Sequence, residues 1–238
     1  MTRLLLIINI GVWLIGLIIP SFDHLATTKL GLHYWQSDLF NPIQLISFQF
    51  LHGGFTHMFF NMFALFMFGS WLERVWGSKR YLIFYLICGI GSGLIQELMW
   101  SFTWEHDYIA AVAADNALQF NDIKDVIHQE ITANLPARME NIAMYQNMLT
   151  TIGASGAIFG LLTGFAFVFP NVPMYIFFIP IPIKAKWVVL GYGLLEVVLG
   201  STNSLSSIAH FAHLGGMLFA LIIVAIWHKQ GSLHGKRY

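Results

Sequence analysis

Three short segments of this chain carry polar side chains, capable of nucleophilic or acid–base chemistry, within runs of apolar residues. They are His52, His57 and Asn61; Ser155 in GASGAIFG (153–160); and His210 and His213 in AHFAHLGG (209–216). Polar side chains in apolar segments of this kind are costly in lipid and usually serve a function. A serine hydroxyl becomes a useful nucleophile when a histidine accepts its proton, so these residue types are sufficient for acyl-transfer chemistry.

Each cluster also has an interpretation that needs no chemistry. His57 and Asn61 lie four residues apart on one helix face, where they could form interhelical hydrogen bonds. The pattern around Ser155 is a weak match to the nucleophile turn of soluble hydrolases, because small residues are ordinary in membrane helices. His210 and His213 alone fall short of a metal site, since no acid lies near them in sequence. We therefore expect neither a metal nor another cofactor, and packing stays an open alternative for each cluster taken alone.

The composition identifies lipid as the solvent of these segments. Of 238 residues, 57% are apolar and 10% are charged, whereas about 25% of the residues in a soluble domain are charged. A spanning helix needs about 20 apolar residues, so the length allows about six of them. The formal net charge is zero, which gives no indication of nucleic-acid binding. The single cysteine, Cys88, excludes an internal disulfide and a Cys-rich metal site.

Six apolar stretches are predicted to cross the bilayer: 4–20, 55–72, 81–100, 151–169, 187–200 and 208–227. The first could instead be a signal peptide, but no clear small-x-small cleavage site follows it, so we favour a retained span. Residues 21–50 are rich in aromatic side chains, as expected of a loop at the membrane interface. Residues 101–150 hold seven of the twelve acids. Their apolar spacing predicts one or two amphipathic helices interrupted at Pro136.

The basic residues orient this topology. Nine of the twelve lysines and arginines fall on the side that carries both termini, and three fall on the other side. The positive-inside rule therefore places both termini in the cytoplasm and the acidic segment 101–150 outside. Spans two, four and six then begin on the outer side, which brings the three polar clusters to a similar depth. A serine, histidines and an amide at one depth make a serine-nucleophile site plausible.

Small residues recur every four positions in spans four and six: Gly156, Gly160 and Gly164, then Ala212, Gly216 and Ala220. Small residues at this interval let helix backbones approach closely. Ser155 and His213 each lie beside the start of one of these series. We therefore predict that spans four and six pack together next to these two residues.

Together, these segments resemble the rhomboid family of intramembrane serine proteases. The resemblance rests on HGGFTHMFFNMFALFMFG (52–69), ERVWGSKR (73–80), GASGAIFG (153–160) and AHFAHLGGMLFA (209–220). It covers nearly all of the chain except 101–150, which is longer than the connection usual in the family. It implies an all-α membrane protein: one six-transmembrane-helix domain over 1–238, with an extra amphipathic helical insert between spans three and four. The implied activity is hydrolysis of peptide bonds in or near transmembrane segments of membrane proteins, and the implied location is a prokaryotic plasma membrane.

The same resemblance implies a role for individual residues. Ser155 corresponds to the nucleophile, and His213, directly before LGG, to the general base of a Ser–His dyad. His57 and Asn61 correspond to donors of the oxyanion hole, which the backbone amide of Ser155 completes. Three further residues are expected to support the site through a sharp turn, ring packing against the histidine and close helix approach: Gly153, Phe159 and Gly216.

Two other classes of function compete with a protease. An inactive rhomboid-like protein that binds or escorts membrane clients is the main alternative, although such relatives usually lack the serine or the histidine. A small transporter or channel is the other, because an acid within a span, here Glu196, often marks an ion path. No internal repeat typical of transporters is evident. We assign Glu196 a structural role, as a hydrogen-bonded acid that links span five to a neighbour, and expect STNSLSS (201–207) and span five to form a gate.

Overall fold

A computed structural model describes residues 1–175, 181–202 and 209–234. Within these ranges the chain is largely helical. The helices are α1 (Thr2–Ile18), α2 (Pro20–Leu30), α3 (Gln44–Ser47), α4 (Phe55–Ala64), α5 (Ser70–Trp76), α6 (Ser78–Asp115), α7 (Phe120–Thr132), α8 (Pro136–Met148), α9 (Ser155–Val168), α10 (Ala185–Ser201) and α11 (His210–Lys229). Two short antiparallel pairs join β1 (Leu32–His33) to β2 (Thr150–Thr151), and β3 (Pro173–Met174) to β4 (Ile183–Lys184).

Three helices in the described part of the chain are long and apolar enough to cross a membrane: Phe55–Trp76, Ser78–Asp115 and His210–Lys229. Two shorter helices, α1 and α9, are also apolar, and α10 falls on the predicted fifth span. The outward faces of these helices carry large apolar side chains; Ile7 is 68% exposed and Leu194 is 60% exposed. Such surface is typical of an all-α membrane protein, because lipid would cover it.

The helix Phe55–Trp76 contains a change of helical pitch in its middle. Its two α-helical halves, α4 and α5, are joined by a π-helical turn over Leu65–Gly69. A π-helical turn bonds each residue to one five positions away and therefore takes up one extra residue. A side chain at Gly69 would overlap the hydroxyl of Tyr81, so the glycine lets α6 pack against this turn.

The third predicted span, 81–100, is much longer in the structure, because α6 continues to Asp115. No proline or glycine lies between residues 101 and 115 to end the helix, and the stretch finishes in several alanines, which favour it. The segment 101–150 therefore begins inside a helix. Its remaining part forms α7 and α8, with Pro136 at the first turn of α8, where a missing N–H costs no hydrogen bond.

Helix α9 lies against both α6 and α11, through its glycines. A Cβ atom at Gly160 would come within 2.6 Å of the Cys88 Cβ on α6 and 3.1 Å of the Gly216 carbonyl oxygen on α11. A Cβ atom at Gly216 would overlap the carbonyl oxygen of Gly156. The small residues of spans four and six thus allow the close approach that their spacing predicts, while the contact with α6 was not predicted.

Candidate active site

Ser155 is the first residue of α9, and the backbone just before it is held in place from two sides. The strand β2 pairs with β1, and the backbone N–H of Gly153 donates to the carbonyl oxygen of Phe48 over 2.9 Å. Gly153 has a φ of +129°, a conformation that residues with a side chain rarely adopt. A Cβ atom there would also lie 2.7 Å from the ring of His57. Gly153 is therefore needed both for the turn and for the approach of His57.

His213 lies on the first turn of α11 and faces Ser155. Its Nε2 atom is 2.8 Å from the Ser155 Oγ atom. The ring of Phe159, one turn along α9 from Ser155, stacks on the ring of His213 with centroids 4.2 Å apart and planes 8° apart. The histidine is thus fixed on one face by an aromatic ring and on one edge by the serine hydroxyl.

The other edge of His213 faces an acid, which the sequence did not connect with this site. The Nδ1 atom of His213 is 3.0 Å from Glu196 Oε1, and the Nδ1 atom of His210 is 2.6 Å from Glu196 Oε2. Glu196 does link α10 to a neighbouring helix, but the link goes to both histidines of the third cluster. The only signal in the sequence was an acid in an apolar stretch, because the two partners are separated by a loop and belong to different helices.

Glu196, His210 and His213 also qualify by type as ligands of a metal ion. One donor atom from each lies within 4.8 Å of the others, and two histidines with a glutamate form a known zinc ligand set. The fold thus supplies the acid that is missing near the histidines in sequence. However, each carboxylate oxygen already lies at hydrogen-bonding distance from a histidine nitrogen. The same three residues therefore form a complete hydrogen-bonded network without an ion.

The first polar cluster places buried donors on the His57 side of Ser155. His57 and Asn61 lie one turn apart on α4, and the ring of His52 is 5.1 Å from that of His57. Asn61 Nδ2 and both ring nitrogens of His52 are buried and have no hydrogen-bond partner within the described residues. Buried polar groups are nearly always hydrogen-bonded, so the unpaired amide of Asn61, one turn along α4 from His57, is available to a ligand.

A cavity of about 710 Å³ lies between α6, α8 and the start of α11. Its wall includes Trp100 of α6, Tyr145 and Met148 of α8, and His210. This cavity reaches the third polar cluster at His210, but its wall does not include Ser155. Of the expected gate, residues 203–207 lie outside the described residues, whereas the part on span five corresponds to α10.

The predicted site residues therefore divide into two groups. The first group lies around the serine hydroxyl and consists of Ser155, His213, Phe159, Gly153 and His57, with Asn61 one turn further along α4. Gly216 instead lies one turn from His213 at the α9–α11 contact, where it sets the distance between the helices that carry the pair.

Comparisons with known proteins relate this chain to one family. The family model described as "Rhomboid domain" matches residues 39–104 and 127–230. RHOMBOID-like protein 12, mitochondrial, of Arabidopsis thaliana is 26% identical over 220 residues, which are 92% of this chain and 55% of that protein. Rhomboid protein 1, mitochondrial, of Saccharomyces cerevisiae is 24% identical over 182 residues, covering 76% of this chain and 41% of that protein.

A bacterial protein adds a shorter but closer match. Putative rhomboid protease YdcA of Bacillus subtilis is 41% identical over 59 residues, which cover 25% of this chain and 28% of that protein. The chain thus spans about half or less of the length of these relatives. The family match contains every site residue described above and leaves out residues 105–126.

Proposed function

This chain belongs to the rhomboid family, and on that premise we propose that it is an intramembrane serine protease. Its substrates are membrane proteins, cut in or near their transmembrane segments. The observation that carries the proposal is the 2.8 Å distance between Ser155 Oγ and His213 Nε2. A serine hydroxyl attacks a peptide carbonyl effectively when a base within this reach takes its proton.

The proposed reaction uses Ser155 and His213 in two steps. The Ser155 oxygen attacks the carbonyl carbon while His213 Nε2 accepts the hydroxyl proton, and His213 then donates that proton to the leaving amine. The resulting acyl-enzyme is hydrolysed by water, which His213 activates in the same way. Phe159, stacked on His213, keeps the ring in the plane that points Nε2 at the serine.

We assign the stabilisation of the oxyanion to His57, Asn61 and the backbone amide of Ser155. The unpaired, buried Nδ2 atom of Asn61 supports this assignment, because a donor that is free before reaction can bind an oxygen that becomes charged during it. Removal of one such donor typically lowers the rate about 10²–10³-fold.

The proposed topology is a single domain of six spans over 1–238, formed by α1, α4–α5, the first part of α6, α9, α10 and α11. Both termini then lie on the side rich in lysine and arginine, and the acidic insert 101–150 lies on the other side, near the entrance to the cavity beside His210. The relatives' names point to mitochondria as well as to a bacterium. A prokaryotic plasma membrane is therefore not singled out, and the proposal concerns only the orientation of the chain in its membrane.

The test is cleavage of a reporter transmembrane segment by the purified protein in liposomes, with labelling by a fluorophosphonate as a second measurement. Wild type should cut and be labelled, whereas Ser155→Ala should do neither. His213→Ala should also fail to cut, and the double variant should be no worse than either single one, because the pair acts as a unit.

Ser92→Ala is the matched control, since it removes a buried hydroxyl whose one hydrogen bond within the described residues goes to the Gly89 carbonyl of its own helix. It should cut at the wild-type rate. Cleavage by Ser155→Ala would contradict the proposal. A folded wild type that binds the reporter but neither cuts it nor reacts with the probe would be the inactive, client-binding kind of rhomboid-like protein.

A further inference from the structure

We propose that Glu196 is a positioning residue for His213, so that this protein works through a hydrogen-bonded chain of Ser155, His213 and Glu196 and not through a serine–histidine pair alone. This inference rests on the proposed function of Ser155 and His213. Glu196 touches neither substrate nor the reacting atoms, and acts through the imidazole of His213.

The geometry of the carboxylate carries this inference. Each oxygen has its own histidine: Oε1 lies 3.0 Å from the Nδ1 atom of His213, and Oε2 lies 2.6 Å from the Nδ1 atom of His210. Glu196 is 7% exposed, His210 5% and His213 8%. A buried carboxylate needs hydrogen-bond donors on both oxygens to be tolerated away from water, and here the two imidazoles supply them.

This arrangement decides which nitrogen of His213 carries the proton. An ionised carboxylate can only accept hydrogen bonds, so the Nδ1 atom of His213 must be the donor. In the neutral ring the Nε2 atom is then unprotonated, and it is the atom that faces Ser155 Oγ over 2.8 Å. Glu196 therefore holds His213 in the tautomer that accepts the serine proton, and its charge stabilises the imidazolium that results.

His210 has a separate part in the same network. It lies three residues before His213 on the same face of α11, so the two Nδ1 atoms contact the carboxylate of Glu196, which lies on α10. By occupying Oε2, His210 fixes the carboxylate plane and directs Oε1 at His213. His210→Gln should therefore weaken turnover less than any change of Glu196, because Oε1 keeps its partner.

The discriminating experiment compares Glu196→Asp with Glu196→Gln in the liposome assay. Glutamine keeps the size of the side chain but loses the charge, whereas aspartate keeps the charge and is shorter. A positioning role predicts a kcat that falls in the order wild type, Asp, Gln, with a loss of about 10²–10⁴-fold for Gln and little change in KM. A structural link between α10 and α11 predicts the reverse order, because glutamine fills the same space.

Glu97→Gln is the matched control for the removal of a buried carboxylate. Glu97 lies on α6 and accepts a hydrogen bond from the backbone N–H of Trp35 over 2.8 Å, which a glutamine oxygen can also accept. This variant should keep the wild-type kcat. The melting temperature of each variant in detergent is measured alongside, so that loss of fold is separated from loss of turnover.

A second measurement needs no variant at position 196. Proton NMR of wild type labelled with ¹⁵N-histidine should show two strongly downfield Nδ1 protons, and His210→Gln should retain only one of them. Absence of both signals, or a wild-type kcat in folded Glu196→Gln, would overturn the proposal. So would a loss of wild-type activity on chelation that zinc restores, since the three residues would then be metal ligands. None of these outcomes depends on the failure of the protease proposal, which would appear instead as unlabelled, inactive wild type.

Discussion

Two regions of this molecule are held together by opposite means. Around the site, α9 meets its neighbours at glycines: backbone lies against backbone between Gly156 of α9 and Gly216 of α11, and Gly160 leaves room for the small side chain of Cys88 on α6. In the insert, the end of α6 packs on α7 and α8 through large side chains, with Tyr108, Ile109, Ile127 and Ile142 in a small core of their own.

Polar contacts show the same contrast. In the site, His213 and Glu196 are buried, Ser155 is partly buried, and His213 lies at hydrogen-bonding distance from both of the others. The insert instead uses partly exposed pairs such as Arg138 with Glu130, 2.7 Å from Nε to Oε2. Exposed pairs of this kind contribute little to stability.

The two regions should also respond differently to substitution. Backbone contact without side chains cannot adjust to a substitution, while side-chain packing can. Atomic positions are therefore fixed tightly near the reacting groups and loosely in the insert.

The largest effect should come from Gly216→Ala. A Cβ atom at this position would overlap the carbonyl oxygen of Gly156, and a backbone atom has no alternative rotamer to adopt. We expect α9 and α11 to separate, with loss of cleavage, loss of probe labelling and a lower melting temperature in detergent.

Gly191→Ala is the control for this prediction, since nothing lies within 4 Å of a Cβ atom there. Alanine at that position should be neutral or slightly stabilising, because it favours the helix. A Gly216→Ala protein with wild-type melting and cleavage would show that the α9–α11 contact is more adaptable than its geometry indicates, and the contrast between the two regions would fail.

An intermediate effect is expected from Asn61→Ala. If its amide binds the oxyanion, kcat should fall about 10²–10³-fold while KM changes little, because the charge exists only along the reaction. Steady-state kinetics on the reporter segment would measure both quantities. A change confined to KM would instead assign Asn61 to substrate binding.

The same substitution in the other region sharpens the comparison. Asn116 lies at the end of α6, and among the residues that the structure describes its Nδ2 atom bonds to the Val112 carbonyl of its own helix alone, over 2.8 Å. Asn116→Ala should leave both kinetic constants unchanged. Equal losses in the two variants would mean that Asn61 acts through the fold and not through the reaction.

The smallest effect on turnover is expected from replacing residues 116–148 by a flexible linker. The insert has its own core and loop replacements are well tolerated, so cleavage of a generic reporter should persist. Tyr145 and Met148 wall the cavity beside His210; we therefore predict that the shortened protein accepts a wider range of substrates, measured with a panel of transmembrane segments.

Unchanged selectivity would reduce the insert to a solvated addition without a function in substrate choice. If the shortened protein does not fold or does not react with the probe, the insert is needed to support the site, and the two regions are not independent. Ile127→Ala, which removes a buried side chain from the insert core alone, should behave as wild type in both assays.

Features that depend on short stretches of sequence could be predicted, and features that depend on contacts between distant stretches could not. The segments around Ser155 and His213 were identified from linear motifs, and α7 and α8 from apolar spacing with a break at Pro136. The continuation of α6 from residue 100 to Asp115 was not predicted, because hydropathy falls at residue 100 while helix propensity does not. The contact between Glu196 and His213 joins separate helices, and no local pattern reports it.

The π-helical turn at Leu65–Gly69 has a consequence for register. One extra residue within a turn rotates everything after it by about 100° relative to a regular α-helix, which has 3.6 residues per turn. The face of α4 that presents His57 and Asn61 is thereby uncoupled from the face of α5 that packs on α6. Removal of a single residue from this turn would leave α4 and α5 helical and apolar. It would nevertheless rotate one of the two helices away from the residues that it contacts.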